Sequence, residues 1–152
     1  MREATMADAG TILRHRREMF FDMGHQDPAA LDEMVRPFHP WLVEKMAKAE
    51  YRGWFAISEN GFVAAGVGLW LMNWPPGLYS LEPWRGNILN VYTEREHRRR
   101  GLARSLVATA RDWCGTQKIH IVTLHASDQG RPLYETMGFQ PTNEMRVVLT
   151  GQ

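Results

Sequence analysis

Asn87-Ile88-Leu89-Asn90-Val91-Tyr92-Thr93 reads as a strand, and a short polar link carries it into Arg98-Arg99-Arg100-Gly101-Leu102-Ala103-Arg104. From Leu102 the apolar spacing becomes helical and continues to Cys114. Strand, basic glycine turn and helix in that order form a unit suited to holding an anion. The first N–H groups of a helix have no acceptor within it, and they carry partial positive charge. A glycine lets the main chain approach a ligand closely, and arginines add permanent charge with bidentate donors. Taken alone, the pattern also describes a solvated basic turn, so the flanking chain has to decide.

Downstream, Leu102, Leu106, Ala110, Trp113 and Cys114 mark one helix face, with Gly115 near its end. Ile119 to Leu124 is a short β-branched strand. Ser127 or Asp128 can cap a last helix that runs through Met137 and stops at Gly138. Phe139 and Glu144 to Leu149 predict a closing β segment. Upstream, Trp54 to Ser58 and Phe62 to Met72 are strands joined by Asn60-Gly61, a hairpin signal. Pro75-Pro76-Gly77 and Pro83 make residues 73–85 a loop. Arg2 to Thr5 suggests a first short strand, and Thr5 and Asp8 have capping-box spacing ahead of a helix that ends at Gly24. Asp27-Pro28 starts another helical run, which Pro37 and Pro40 are expected to break in two. Helices, a hairpin and then β-α-β-α-β predict an α/β fold with a mixed sheet, in one domain over residues 1–152.

The chain has 152 residues, 44% apolar and 23% charged, with a formal net charge of +1. Local arginine clustering within a nearly neutral chain fits a small anionic ligand better than nucleic acid or an anionic membrane. Cys114 is the only cysteine, which excludes an internal disulfide and leaves a buried thiol as its expected state. His97, His120 and His125 match no compact metal motif, and no metal is expected. No apolar run is long enough to span a bilayer and no signal-peptide core is present, so a soluble cytoplasmic protein is expected.

From Asn87 to Leu149 the chain resembles the GNAT superfamily of acetyl-CoA-dependent N-acetyltransferases. Arg98, Gly101 and Ala103 match that family's signature: Arg or Gln, two residues, Gly, one residue, Gly or Ala. Leu133-Tyr134 followed by Gly138-Phe139 matches a second family feature. The resemblance implies a GNAT-type mixed central sheet, flanked by helices and splayed between two parallel strands, here residues 87–93 and 119–124. It implies acetyl-CoA as cosubstrate, with its pyrophosphate on the main chain and side chains of Arg99, Arg100, Gly101, Leu102, Ala103 and Arg104. Arg98 either touches phosphate or braces the turn. By position, the Val91 N–H would polarise the thioester carbonyl, the Thr93 backbone would pair with the coenzyme arm, and Tyr134 would protonate the departing thiolate. Ser127 stands where many relatives carry an asparagine, and Gly130 where a small residue is usual.

The strand positions that often carry a catalytic base hold Asn87 and Leu89, and neither titrates. Glu82, Glu94, His39 and a water chain remain open for that role, as does an amine that arrives already neutral. The acceptor is expected to be a small-molecule or peptide amine, met by the first helices and the 73–84 loop. At least two of Trp74, Tyr79 and Trp84 are expected to cover the sheet edge as core. A catalytically silent acyl-CoA-binding or sensor module is the alternative to an enzyme, and a homodimer is compatible with either.

Overall fold

Asn60-Gly61 makes the tight return that organises the sheet. Gly61 takes φ +83°, its N–H donates to Ser58 O at 2.9 Å, and the Ser58 hydroxyl accepts from the Phe62 N–H. In the computed structural model, which describes residues 1–150, this turn joins β2 (Tyr51–Ile57) to β3 (Val63–Asn73). The other strands are β1 (Arg2–Glu3), β4 (Trp84–Thr93) and β5 (Val122–Leu124), in the spatial order β1-β2-β3-β4-β5. Neighbouring strands are antiparallel except β4 and β5, which run parallel.

The helices are α1 (Ala9–Asp22), α2 (Pro28–Ala47), α3 (Leu102–Thr116) and α4 (Arg131–Thr136). Alternation along the strands feeds two layers. Trp54, Val67, Leu69 and Ile88 pack with Leu106, Val107, Ala110 and Cys114 of α3. Phe55, Tyr51 and Leu89 pack on the other face with Ile12 of α1 and Leu42 of α2. The result is the open mixed α/β sheet implied by the order of elements. Among the described residues no helix is long and apolar enough to cross a membrane.

Two expectations fail. The break at Pro37 and Pro40 does not occur, and α2 runs unbroken through both. An interior proline loses a hydrogen bond and crowds the preceding turn, at about 3 kcal/mol. Packing overrides it here: Leu31 and Leu42 are buried, Phe38 stacks on Trp41, and the Arg16 guanidinium lies 4.3 Å above Phe38. The closing β segment at Glu144–Leu149 is also absent, since residues 140–150 form no strand and all are exposed. β-branched content by itself does not make a strand, because pairing and packing in context outweigh the intrinsic preference. After α4 the chain leaves the sheet, whose last strand is β5, instead of returning to it.

Candidate active site

β4 and β5 pair only at Gly86–Val122, Asn87–Thr123 and Ile88–Leu124. There β5 ends, while β4 continues to Thr93 still paired with β3. The two parallel strands therefore part, and the far half of β4 has one edge with no neighbouring strand. A bulge marks the parting. The β3–β4 register shifts between Gly66 and Gly68, so Asn90 and Val91 have no partner across the ladder.

Asn90 sits at φ +55°, in the left-handed region that asparagine tolerates better than most residues. Its side chain is 3% exposed, donates to Tyr51 Oη at 3.0 Å and accepts from Arg16 Nη1 at 2.8 Å. Burial pushes the Tyr51 hydroxyl up to about 12, so it stays neutral. Thus β2 and α1 hold the bulge from behind. Just beyond it, the Glu94 N–H donates to Ala64 O. By strand alternation, the main-chain groups of Thr93 and Val91 then face the opened edge.

α3 begins beside this edge. Gly101 is its N-cap at φ +75°, with no side-chain cap, and Arg99 also has positive φ. The first helical hydrogen bond is from the Ser105 N–H to Gly101 O at 3.1 Å. The N–H groups of Leu102, Ala103 and Arg104 therefore lack intrahelical acceptors. Together with the left-handed residues before them they form an anion-binding arrangement of main-chain donors.

The arginines of the turn divide the work. Arg98 Nε donates to Thr93 O at 2.9 Å, and Nη2 donates to Asp22 at the end of α1 at 2.5 Å. Bracing is thus the role that its geometry takes. Burial opposes the Asp22 charge, but hydrogen bonds from Arg98 and Arg95 outweigh it and hold the carboxyl below its ordinary range. Arg104 Nη2 donates to Thr136 Oγ1 at 2.6 Å, linking α3 to α4. Arg99 and Arg100 are exposed, with Arg100 3.5 Å from His97 Nδ1.

On the opposite wall, Ser127 Oγ accepts from the Gly130 N–H at 3.1 Å. A Cβ at Gly130 would lie 2.9 Å from Tyr134 Cε2 and 3.2 Å from Ser127 Oγ. Gly130 therefore makes room for the Tyr134 ring. That ring packs on the rim of the α3 core, edge-on to Phe139 at 6.0 Å. Its hydroxyl has no hydrogen-bond partner among the described residues. Burial raises its pKa, so the phenol keeps its proton at neutral pH.

The candidate positions for a base are engaged or exposed. Asn87 Nδ2 donates to Thr123 Oγ1 at 3.0 Å, and Leu89 packs on the α1–α2 layer. Glu94 is bound to Arg14, while Glu82 and His39 are exposed. His15, missed in the sequence, lies buried 3.7 Å from Glu94. Desolvation first, then the Arg14 charge, lower it to about 4, so the ring is neutral and the contact is no ion pair. Burial pushes the Cys114 thiol up to about 11. Among the described residues no group of three or more His, Cys, Asp or Glu is placed to hold a metal.

The loop aromatics correct a further expectation. Trp74, Tyr79 and Trp84 are 44%, 88% and 39% exposed, so none is core. β3 and β4 stay paired out to Asn73–Trp84, which leaves the loop no edge to cover. The Arg85 guanidinium instead lies 3.8 Å over the Trp74 ring. Sequence reading also missed the Arg16–Asn90–Tyr51 lock. Its one local signal was a polar residue, tolerant of positive φ, inside an apolar strand.

A parted parallel pair with an uncapped, glycine-started helix beside the gap defines an acyl-transfer scaffold of the GNAT type. A profile of the acetyltransferase (GNAT) family matches residues 12–139, and the chain belongs to that family. A GCN5-related N-acetyltransferase from Ralstonia eutropha JMP134 is 36% identical, covering 99% of this chain and 97% of its own, with a TM-score of 0.92. A predicted acetyltransferase from Clostridium acetobutylicum, solved with acetyl-CoA, is 27% identical over 97% of this chain and 94% of its own, with a TM-score of 0.86. An acetyltransferase from Trypanosoma brucei, 19% identical over 97% of each chain, shares the fold at a TM-score of 0.67. No curated protein matches the chain.

Proposed function

We propose that this chain, acting as one domain in the cytoplasm, transfers an acetyl group from acetyl-CoA to a primary amine by direct attack, with both substrates bound. Acetyl-CoA supplies the activated thioester. The residues present fit it: uncapped donors start α3, an unpaired strand edge flanks them, and Gly130 is open where a side chain would crowd Tyr134.

The N–H groups of Leu102, Ala103 and Arg104 receive the diphosphate, Gly101 allows its close approach, and Arg99 and Arg100 add charge. Arg98 holds the turn in place from Asp22. The Thr93 N–H pairs with an amide of the arm, since its carbonyl is already taken by Arg98. The Val91 N–H stabilises the charge that develops on the carbonyl oxygen. The Tyr134 hydroxyl delivers a proton to the departing sulfur. Ser127, committed to Gly130, shapes the wall and leaves the arm one side-chain contact fewer. The amine loses its proton through water or before binding, since β4 offers only Asn87 and Leu89 there. The acceptor is a small-molecule amine or a peptide amine, and the working form is a homodimer.

The observation that carries this reading is the uncapped α3 N-terminus beside the unpaired half of β4. Calorimetric titration with acetyl-CoA, followed by thiol release across an amine panel, tests it. Saturable binding and turnover of at least one amine are expected, and failure to bind acetyl-CoA overturns the reading. A silent acyl-CoA-binding module is the second reading, favoured by the untitratable pair Asn87 and Leu89. It requires binding with no thiol release on any amine.

A further inference from the structure

We propose that the acceptor is a free amino acid, whose carboxylate binds the Arg16 guanidinium where Asn90 holds it against the β4 bulge. The inference rests on the acetyltransferase reading and narrows its substrate class. It starts from a charge with no counter-charge. Among the described residues four arginines are half-buried: Arg16, Arg17, Arg52 and Arg85. Arg17 pairs with Asp32 and Arg52 with Glu3. Arg16 and Arg85 pair with no carboxylate among the described residues. The acids that flank α1 are committed elsewhere, Glu94 to Arg14 and Asp22 to Arg95 and Arg98.

Burial opposes the Arg16 charge and lowers its pKa, but a guanidinium stays protonated in any protein. Taking a cation out of water is costly unless an anion or hydrogen bonds replace the lost hydration. The protein supplies only part of that. Nη1 donates to Asn90 Oδ1 at 2.8 Å. Nε is buried with no partner. Nη2 makes no hydrogen bond among the described residues and, unlike Nε, is not sealed from water. The Phe38 and Phe20 ring centres lie 4.3 and 5.1 Å from Cζ. They hold the cation in place without neutralising it. A carboxylate on Nη2 completes the set with a charge-assisted bond.

Position makes this an acceptor site and not a coenzyme site. Arg16 on α1 and Phe38 on α2 belong to the layer that covers the sheet face opposite α3. Asn90 precedes Val91, whose N–H faces the thioester carbonyl in the proposed reaction. A carboxylate held there keeps an amine on the adjacent carbon within reach of that carbonyl. A peptide N-terminus has no such carboxylate, and a polyamine meets only repulsion. Arg85 adds to the bias: by alternation it shares the β4 face of Asn87 and Leu89. Phe38 stacks on Trp41, which meets Trp70 edge-on at 5.3 Å. All three are half-buried, so an aromatic surface continues from Arg16 and suits an apolar side chain.

The transfer balances without further reagents. The ammonium first releases a proton to water. The C–N bond then forms and the C–S bond breaks, Tyr134 protonates sulfur, and the attacking nitrogen returns a proton to Tyr134 through water. The carboxylate is unchanged.

The test measures thiol release for aliphatic and aromatic amino acids, each beside its α-amide. At least one amino acid should exceed its amide by about thirtyfold or more in kcat/KM. Arg16→Met keeps an apolar stem and removes the charge. It should bring that ratio close to one, whereas a purely structural role would lower both rates and preserve it. Arg16→Lys should retain part of the preference. Competition by 3-phenylpropionate, a carboxylate with no amine, is expected in the unaltered protein and needs no variant to fold. A ratio near one in the unaltered protein overturns the proposal. So does a ratio unchanged in Arg16→Met, or turnover of peptide amines or polyamines with no free amino acid. Calorimetry with phenylalanine and with acetyl-CoA keeps the two readings apart. A protein that acetylates amines without regard to the carboxylate defeats only this inference. One that ignores acetyl-CoA yet binds phenylalanine through Arg16 defeats the proposed function and leaves the carboxylate site standing.

Discussion

On the β4 side of the gap, Asn90 is buried and hydrogen-bonded to both Tyr51 and Arg16, and the strand keeps its ladder with β3 out to Thr93. On the β5 side, three residue pairs hold the strand, and α4 is a helix of six residues with none buried. On the first wall the Asn90 side chain is hydrogen-bonded inside one molecule. The second is half-finished, with apolar residues still in contact with water. On the acetyltransferase reading, β4 and the start of α3 set the reaction geometry, and β5 and α4 form the less tightly packed wall. Local stability in proteins follows this kind of division.

The largest effect is expected at the rigid corner. Gly101→Val puts a β-branched residue at φ +75° and a side chain where the diphosphate must approach. Acetyl-CoA affinity should fall about a thousandfold, near 4 kcal/mol, as read by calorimetry. Because a Cβ there meets nothing within 4 Å, the variant should still fold, and melting should show it. Normal affinity would end the diphosphate assignment. Tyr134→Phe probes the adaptable wall. It should lower kcat about a hundredfold and leave acetyl-CoA affinity nearly unchanged. Unchanged turnover across the pH range would remove its role as the acid.

Stability separates the walls further. Asn90→Ala loses both hydrogen bonds and leaves alanine in the left-handed region, for a cost of about 2 kcal/mol in a denaturant melt. Asn90→Gly should recover the backbone part of that loss. His15 provides a pH signature on the same side. Its folded pKa, about 4, lies below the unfolded 6.5, so the unfolded state binds more protons between them. Stability should therefore hold above pH 6.5 and fall as pH drops toward 4, by at most about 1.4 kcal/mol per unit. His15→Phe should flatten that slope. The smallest effect is expected across the gap, where Ser127→Ala removes one hydrogen bond, that from the Gly130 N–H, and should cost about 1 kcal/mol or less. A loss there equal to that of Asn90→Ala would contradict the contrast between the walls.

Much of the fold was legible because its signals are local. The Thr5–Asp8 capping box, the Asn60-Gly61 turn and the Gly101 helix start each need only a few consecutive residues. Around the candidate site, the main-chain features were legible: the Gly101 helix start and the strand that becomes β4. The site was not legible where side chains from distant elements meet. Arg16 reaches Asn90 across 74 positions, and Arg98 reaches Asp22 across 76. Pro37 and Pro40 misled because local propensity was weighed without the packing of Phe38, Trp41 and Arg16 on that helix.

By itself the sequence determined the mixed α/β order, the basic glycine turn that starts α3 and the family pattern around Gly101 and Tyr134. These rest on dihedral preferences and hydrogen bonds between near neighbours, which the order of residues specifies directly. Only the tertiary structure decided that Arg98 is a brace, that Asn90 anchors a bulge, and that the tail leaves its own sheet. Those outcomes depend on which distant groups share one small volume, and that is settled when the layers close on each other.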